Sequence, residues 1–235
     1  MTFVLVHGGG FSGSCWDELV PLLAGTAIAV DLPGRGRTPK DLGSVTISDF
    51  VGSVTSEIVA HDLTDVTLVG HSMAGVTLPG VVERIPDRIS RIVFVSCAVP
   101  PDGTSLADVL GDLSPAVQEV AARIGEDVVD SQGALHADLA RAMFCNDMDE
   151  PTAESTLARR VPETLNVLSE QTDLTGLRHP IARTYVRLTR DASITLDAQN
   201  MMIANLGEVN VVDLDAGHMA MISDPQGLAS ILNGF

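Results

Sequence analysis

The pentapeptide at residues 70–74, Gly-His-Ser-Met-Ala, carries the strongest chemical signal in the chain. It follows a compact apolar run at 65–69 and precedes an apolar stretch with helical spacing, so Ser72 is predicted to lie on a sharp strand-to-helix turn. Such a turn exposes a serine hydroxyl at a sheet edge, where it acts as a nucleophile; the usual pattern is G-x-S-x-G. Here Ala74 occupies the last position and Gly75 follows it. The alternative interpretation is an ordinary strand-to-helix turn that contains a serine.

A serine hydroxyl becomes nucleophilic when a base accepts its proton, and His218 is the histidine best placed to do so. Catalytic groups of a doubly wound sheet lie on loops at the carboxyl ends of strands, and His218 directly follows the last predicted strand. His7 shares its strand end with a glycine turn, and His71 adjoins the serine and should point away from it. The other three histidines are predicted to lie at the surface: His61, His136 and His179.

An acidic side chain must orient that imidazole and stabilise its charged form. Asp191 comes shortly after a predicted strand at 182–188, which places it at the same sheet edge. The order along the chain is then Ser72, Asp191, His218. Asp213 and Asp215 compete for the role, but they lie on the same strand end as the histidine and would have trouble reaching its far ring nitrogen.

Attack on an ester carbonyl produces an oxyanion, which two backbone N–H groups should face. We predict that Met73, directly after the serine, supplies one donor and that Gly9, in the turn at 8–10, supplies the other. A glycine-rich turn also suits phosphate. This one lacks G-x-G-x-x-G spacing and a following lysine, so a nucleotide site is not expected.

The elements that must position these residues follow an alternating pattern. Short apolar runs alternate with segments of helical spacing, which indicates an α/β fold: a doubly wound, mostly parallel six-stranded sheet. Strands are predicted at 3–6, 27–30, 66–69, 92–95, 182–188 and 209–214. Helices are predicted at 12–23, 47–60, 73–85, 196–206 and 225–232.

The pattern breaks between about residues 100 and 177, where no buried strand is evident. Short helical segments are predicted there at 105–110, 115–124, 133–143, 152–160 and 163–171. We therefore predict a core formed by residues 1–99 and 179–235, with residues 100–178 as a helical cap insertion.

Composition limits the function classes. The 235 residues carry a formal net charge of −17, which argues against nucleic acid or an anionic membrane surface as a partner. No apolar run approaches membrane-spanning length, and the apolar segment at the N-terminus is too short and uncharged for a signal peptide.

The chain has three cysteines, an odd number without metal-type spacing: Cys15, Cys97 and Cys145. No metal site is therefore expected, and the cysteines are predicted to be reduced thiols in a cytoplasmic protein. The oligomeric state stays open, a homodimer included.

Four stretches give the chain a resemblance to the α/β-hydrolase superfamily, and within it to the plant-type methylesterases, hydroxynitrile lyases and their bacterial esterase relatives. They are residues 4–10 (VLVHGGG) with Trp16 downstream, 69–75 (VGHSMAG), 143–147 (MFCND) and 215–219 (DAGHM). The resemblance covers nearly the whole chain. It implies a cofactor-free enzyme with a Ser-Asp-His triad and a helical cap over the serine.

Two positions decide between members of that group. The lyases that resemble this chain carry a lysine directly after the triad histidine, where it stabilises departing cyanide, and a threonine in the first-strand turn. Here those positions are Met219 and Gly8. Because a thioether supplies no positive charge, the resemblance argues against cyanohydrin cleavage, whereas ester hydrolysis needs neither residue.

An apolar substrate pocket is predicted, with core filling as the alternative for its methionines. Its members are Gly8, Phe11, Met143, Phe144, Met148 and Met219. The expected function is a serine hydrolase that cleaves a small to medium uncharged carboxylic ester through an acyl-enzyme. The alternatives are another reaction on the same scaffold (a lactonase, thioesterase, lyase or cofactor-free synthesis step) and a non-catalytic small-molecule binding protein that keeps the triad.

Overall fold

The computed structural model describes residues 1–122, 128–130 and 133–235. Six strands form one sheet in the order β2-β1-β3-β4-β5-β6, and every neighbouring pair is parallel. The strands are β1 (Thr2–Val6), β2 (Thr26–Val30), β3 (Val66–His71), β4 (Ile89–Val95), β5 (Ala182–Leu188) and β6 (Asn210–Leu214). The predicted fold class is confirmed, and the sheet is parallel throughout rather than mostly so.

Helices cover both faces of the sheet. Those outside the connection between β4 and β5 are α1 (Ile47–Ala60), α2 (Leu78–Arg84), α8 (Leu196–Ala204), α9 (Ala220–Ser223) and α10 (Pro225–Asn233). The β4–β5 connection, residues 96–181, contains α3 (Leu106–Leu113), α4 (Pro115–Ala122), α5 (Ala137–Phe144), α6 (Glu150–Ala158) and α7 (Asn166–Ser169). The predicted helix at 115–124 ends in residues outside the described part of the chain.

Alternating side chains of the strands fill two apolar cores, one on each side of the sheet. In β1, Val4 and Val6 belong to one core, whereas Phe3 and Leu5 belong to the other, and all four are fully buried. Burial on both faces is the reason that the central strands are apolar at most positions. It also fixes their register, because a shift of one residue would exchange the two sets of side chains.

The prediction of a helix at 12–23 is wrong. The structure has two short 3-10 turns there, Gly13–Trp16 and Val20–Leu22. The amide of Gly13 donates to the Asp31 carboxylate at 2.8 Å, and a Cβ at Gly13 would lie 3.2 Å from a β2 carbonyl oxygen, so this end is tied to the sheet. Pro21 has no N–H to donate and so interrupts a continuous helix.

The predicted helix at 163–171 is also longer than the observed one, because α7 covers only Asn166–Ser169. The residues before it bind a distant turn of the chain instead of one another. Val161 donates its amide to the Gly10 carbonyl at 2.9 Å, and Glu163 accepts the Gly10 amide at 2.8 Å. The β4–β5 connection is therefore anchored beside the turn that follows β1.

Candidate active site

The serine at position 72 lies on a strained turn between β3 and the helical segment after it. Its φ of 53° falls in the left-handed region, which is costly for a non-glycine residue and is characteristic of functional sites. A Cβ at Gly70 would lie 2.7 Å from Leu78, and one at Gly75 would lie 2.2 Å from the carbonyl oxygen of Ala98. Close approach of the backbones thus requires glycine at 75, the residue after the alanine that departs from the usual pattern.

Three side chains from different loops meet at this turn. The Oγ of Ser72 lies 3.0 Å from Nε2 of His218, and Nδ1 of the same ring lies 2.7 Å from Oδ2 of Asp191. Since the carboxylate accepts only, Nδ1 is the protonated nitrogen of the neutral ring and Nε2 is free to accept from the serine hydroxyl. The three loops follow β3, β5 and β6, whose carboxyl ends lie along one edge of the sheet.

The carboxylate of Asp191 is fully enclosed and well supplied with donors. Its Oδ1 accepts the amides of Ser193 at 2.7 Å and Ile194 at 2.8 Å, while Oδ2 also accepts the hydroxyl of Ser96 at 2.6 Å. These bonds fix the orientation of the carboxylate. Ser96 was missed by the sequence analysis; its position directly after β4 was the only available signal.

Two further residues, neither assigned to the site from sequence, position His218. The ring of His71 donates from Nε2 to the carbonyl of His218 at 2.8 Å, and Asp147 accepts the amide of Gly217 at 2.6 Å. Burial, together with the neighbouring His218, holds the pKa of His71 well below its ordinary value, so this ring is a neutral donor. Phe144 stacks on the His218 ring, with centroids 5.6 Å apart.

The glycine turn lies directly against the serine. A Cβ at Gly8 would lie 2.8 Å from the Cβ of Ser72, so only glycine fits there. At Gly9, a Cβ would lie 3.5 Å from the sulfur of Met73, so the two residues expected to supply the oxyanion donors lie close together.

Apart from Gly8, which lies against Ser72, the expected pocket residues fall into two groups. Phe11 and Phe144 pack edge to face at 5.4 Å, and Phe144 also touches His218, so this pair borders the three side chains. The methionines pack into the apolar core: Met219 is fully buried, Met143 and Met148 are partly buried, and Met148 accepts a hydrogen bond from a threonine of α6. Their contacts favour the core interpretation.

The competing carboxylates have other partners. Asp213 pairs with Arg187 at 2.7 Å, and Asp215 pairs with Arg190 at 3.1 Å, both at exposed positions.

Among the other histidines, His61 lies 3.5 Å from a glutamate and His179 lies 3.2 Å from another, both near the surface. His136 is the residue before α5. None of these residues is in the cluster around the serine.

His7 is buried beside the glycine turn and should make stability dependent on pH. Its Nε2 accepts the amide of Leu32 at 3.1 Å and its Nδ1 donates to the Gly8 carbonyl at 2.8 Å, so the neutral ring satisfies both bonds. Burial lowers its pKa to about 4. On acidification, His7 therefore binds a proton in the unfolded chain before it does so in the folded chain. The free energy of unfolding keeps the full contribution of His7 above about pH 6.5 and should fall by about 3 kcal/mol by about pH 4.

Urea unfolding at about pH 7.5 and about pH 5 checks this expectation. We expect His7→Asn to be less stable than wild type at the higher pH but to lose less on acidification. A matched substitution at the exposed histidine, His61→Gln, should leave the loss unchanged. An equal loss in wild type and His7→Asn would contradict the assignment.

Within residues 1–122, 128–130 and 133–235, no three His, Cys, Asp or Glu side chains group as metal ligands would. Over the same residues, no helix has the length and apolar character needed to cross a bilayer.

The family model described as "Alpha/beta hydrolase family" matches residues 3–231. Methyl jasmonate esterase 1 of Vitis vinifera is 31% identical over 251 residues, covering 98% of this chain and 94% of that protein. Norfluorocurarine synthase 2 of a Strychnos species is 30% identical, covering 98% and 93%.

Among solved structures, an extracellular alpha/beta-hydrolase from a Paenibacillus species superposes with a TM-score of 0.86 at 29% identity. The superposition covers 99% of this chain and 97% of that one, and its published description reports structural and functional homology to tobacco salicylic acid binding protein 2. With the parallel sheet and the strained serine turn already described, these matches give one conclusion. The chain belongs to the alpha/beta hydrolase family.

Proposed function

We propose that this protein is a serine hydrolase that cleaves a small to medium uncharged carboxylic ester through an acyl-enzyme. One observation carries the proposal: two hydrogen bonds link Ser72 to His218 at 3.0 Å and His218 to Asp191 at 2.7 Å. That arrangement of nucleophile, base and orienting acid is what acyl transfer requires.

In the proposed reaction, Ser72 attacks the ester carbonyl carbon while His218 takes the hydroxyl proton. The amides of Gly9 and Met73 stabilise the oxyanion, whose collapse breaks the bond to the alcohol oxygen. His218 returns the proton to that oxygen, and the alcohol leaves. A water then attacks the acyl-enzyme with His218 as base, which releases the carboxylic acid and regenerates the serine.

Two features support an uncharged substrate. Phe11 and Phe144 give an apolar border to the three side chains, and the chain as a whole carries a charge of −17, which disfavours anionic esters. The name of the methyl jasmonate esterase relative is in line with ester hydrolysis. The β4–β5 connection, through Phe144, would act as the cap, with residues 100–178 as the insertion and 1–99 with 179–235 as the core.

The other functions have less support in the site. Met219, where a cyanide-stabilising lysine would stand, is fully buried among apolar residues and supplies no charge. The cysteines are no alternative nucleophiles, because burial raises the pKa of the Cys15, Cys97 and Cys145 thiols above the usual value. All three cysteines are free and buried, which agrees with the reducing, cytoplasmic compartment that we propose.

A substrate panel run on wild type and Ser72→Ala together tests the proposal. We expect wild type to hydrolyse p-nitrophenyl acetate and butyrate, and the variant to be inactive. Turnover of only lactones or thioesters would reassign the reaction on the same scaffold, and cyanide release from mandelonitrile would contradict the argument from Met219. Failure to turn over any short acyl ester would reject the esterase assignment.

A further inference from the structure

The glycine turn that would bind the oxyanion is fixed from outside the sheet. Both backbone groups of Gly10 are bound by the β4–β5 connection: its amide donates to Oε2 of Glu163 at 2.8 Å, and its carbonyl accepts from Val161 at 2.9 Å. Gly10 itself has a φ of 72°, a conformation that this pair of bonds stabilises. Glu163 therefore helps to set the path of the turn.

The same carboxylate lies beside the expected oxyanion donors. A Cβ added to Gly9 would lie 3.1 Å from Oε2 of Glu163 and 3.5 Å from the sulfur of Met73. A negative charge this close would oppose the charge that develops on the substrate oxygen in the transition state. The position is therefore unfavourable for catalysis unless the carboxylate is neutralised.

Arg35 supplies the neutralising charge. Its guanidinium forms an ion pair with Glu163, donates to the Pro33 carbonyl at 3.2 Å and lies 5.0 Å from the ring centroid of Phe50. Arg35 is almost fully buried, and burial lowers its pKa to about 10, so it stays protonated at neutral pH. It is fixed in the loop after β2, on the core side of the site.

On the basis of the function proposed above, we infer that Arg35 and Glu163 are positioning residues for oxyanion stabilisation. Glu163 orients the glycine turn through the Gly10 amide, and Arg35 cancels the charge that Glu163 would otherwise place beside the oxyanion. The pair joins the core to the β4–β5 connection, so the oxyanion site is complete only when both parts are in contact.

In a double-mutant cycle, we expect the second substitution to restore kcat that the first one removes, rather than to lower it further. Arg35→Met leaves a bare carboxylate beside the turn, and kcat should fall about 10- to 100-fold with little change in KM, less than the loss of a whole oxyanion donor. Adding Glu163→Gln removes that charge while its amide oxygen still accepts from Gly10, so the double variant should recover most of kcat. Arg35→Lys, which keeps the charge, should retain most of the activity.

A second ion pair between the same parts of the chain provides the control. Glu18, after the first 3-10 turn, pairs with Arg159 just beyond α6, so Glu18→Gln should leave kcat unchanged. Folding of each variant is checked by thermal unfolding. If the pair served only to attach the connection to the core, the double variant would be no more active than Arg35→Met.

Two assays separate this inference from the proposed function. One is ester turnover, and the other is the rate at which a fluorophosphonate labels Ser72. The labelling reaction also develops charge on an oxygen in the oxyanion site. Recovery in the double variant in either assay supports the inference. Equal losses in Arg35→Met and the double variant, or no loss in Arg35→Met, overturn it. Wild type that is labelled but hydrolyses no ester defeats the proposed function alone, and wild type inert in both assays defeats both.

Discussion

Ser72→Ala should lower kcat for a p-nitrophenyl ester by on the order of 10⁶-fold, the loss typical when a nucleophile of this type is removed. The reason is direct: the Oγ that lies 3.0 Å from Nε2 of His218 is the atom proposed to bond to the acyl carbon. Steady-state kinetics with a stopped assay for slow turnover measures the effect. Weak substrate binding should persist, since the remaining groups of the site are unchanged.

A serine at the opposite end of the sheet gives the matched control. Ser90, near the start of β4, donates to the Val66 carbonyl at 3.3 Å, and Ser90→Ala should retain full activity. Circular dichroism and thermal unfolding should show both variants folded. A Ser72→Ala protein that keeps more than about a tenth of wild-type kcat would place the nucleophile elsewhere.

Asp191→Asn should lower kcat by about 10⁴-fold while KM changes little. The Asp191 carboxylate accepts from Nδ1 of His218 at 2.7 Å, which leaves Nε2 free to accept from Ser72. Because Ser96 and two backbone amides already donate to the carboxylate, an asparagine at 191 would direct its NH₂ toward one of these donors or toward the ring. If it faces the ring, it favours the tautomer whose Nε2 carries the proton and cannot act as base.

Asp213→Asn and Asp215→Asn are the comparison variants. Each removes an exposed ion pair, with Arg187 or Arg190, and such pairs contribute about 0–1 kcal/mol to stability. Their kcat values should stay within about twofold of wild type. A large loss in either one, with Asp191→Asn nearly normal, would assign the acid to the last strand instead.

The sheet and several helices could be predicted because their signals are local. Short runs of mostly apolar residues mark the strands, and the predicted strand at 182–188 agrees with the observed one. The helix at 47–60 also begins and ends as predicted from its apolar spacing, and Thr46 and Asp49 form a capping box at its start. The positions of Ser72, Asp191 and His218 followed from the rule that loops at the carboxyl ends of parallel strands meet.

What the sequence analysis missed depends on contacts between distant parts of the chain. Ser96 bonds to Asp191 across 95 positions, and Glu163 bonds to Gly10 across 153, so neither pairing leaves a pattern of neighbouring residues. The false helix at 12–23 has this cause in part, because the Gly13 amide binds Asp31 of the distant β2 end. Pro21, which also interrupts the helix, was visible in the sequence. Tertiary contacts override local propensity at such positions.

The most direct test of the central claim is the site of covalent modification by a serine-directed fluorophosphonate, read by peptide mass spectrometry. We expect a single adduct on the peptide that contains Ser72, formed rapidly by wild type, slowly by His218→Ala and not at all by Ser72→Ala. An adduct on another residue, or equal labelling of wild type and Ser72→Ala, would contradict it.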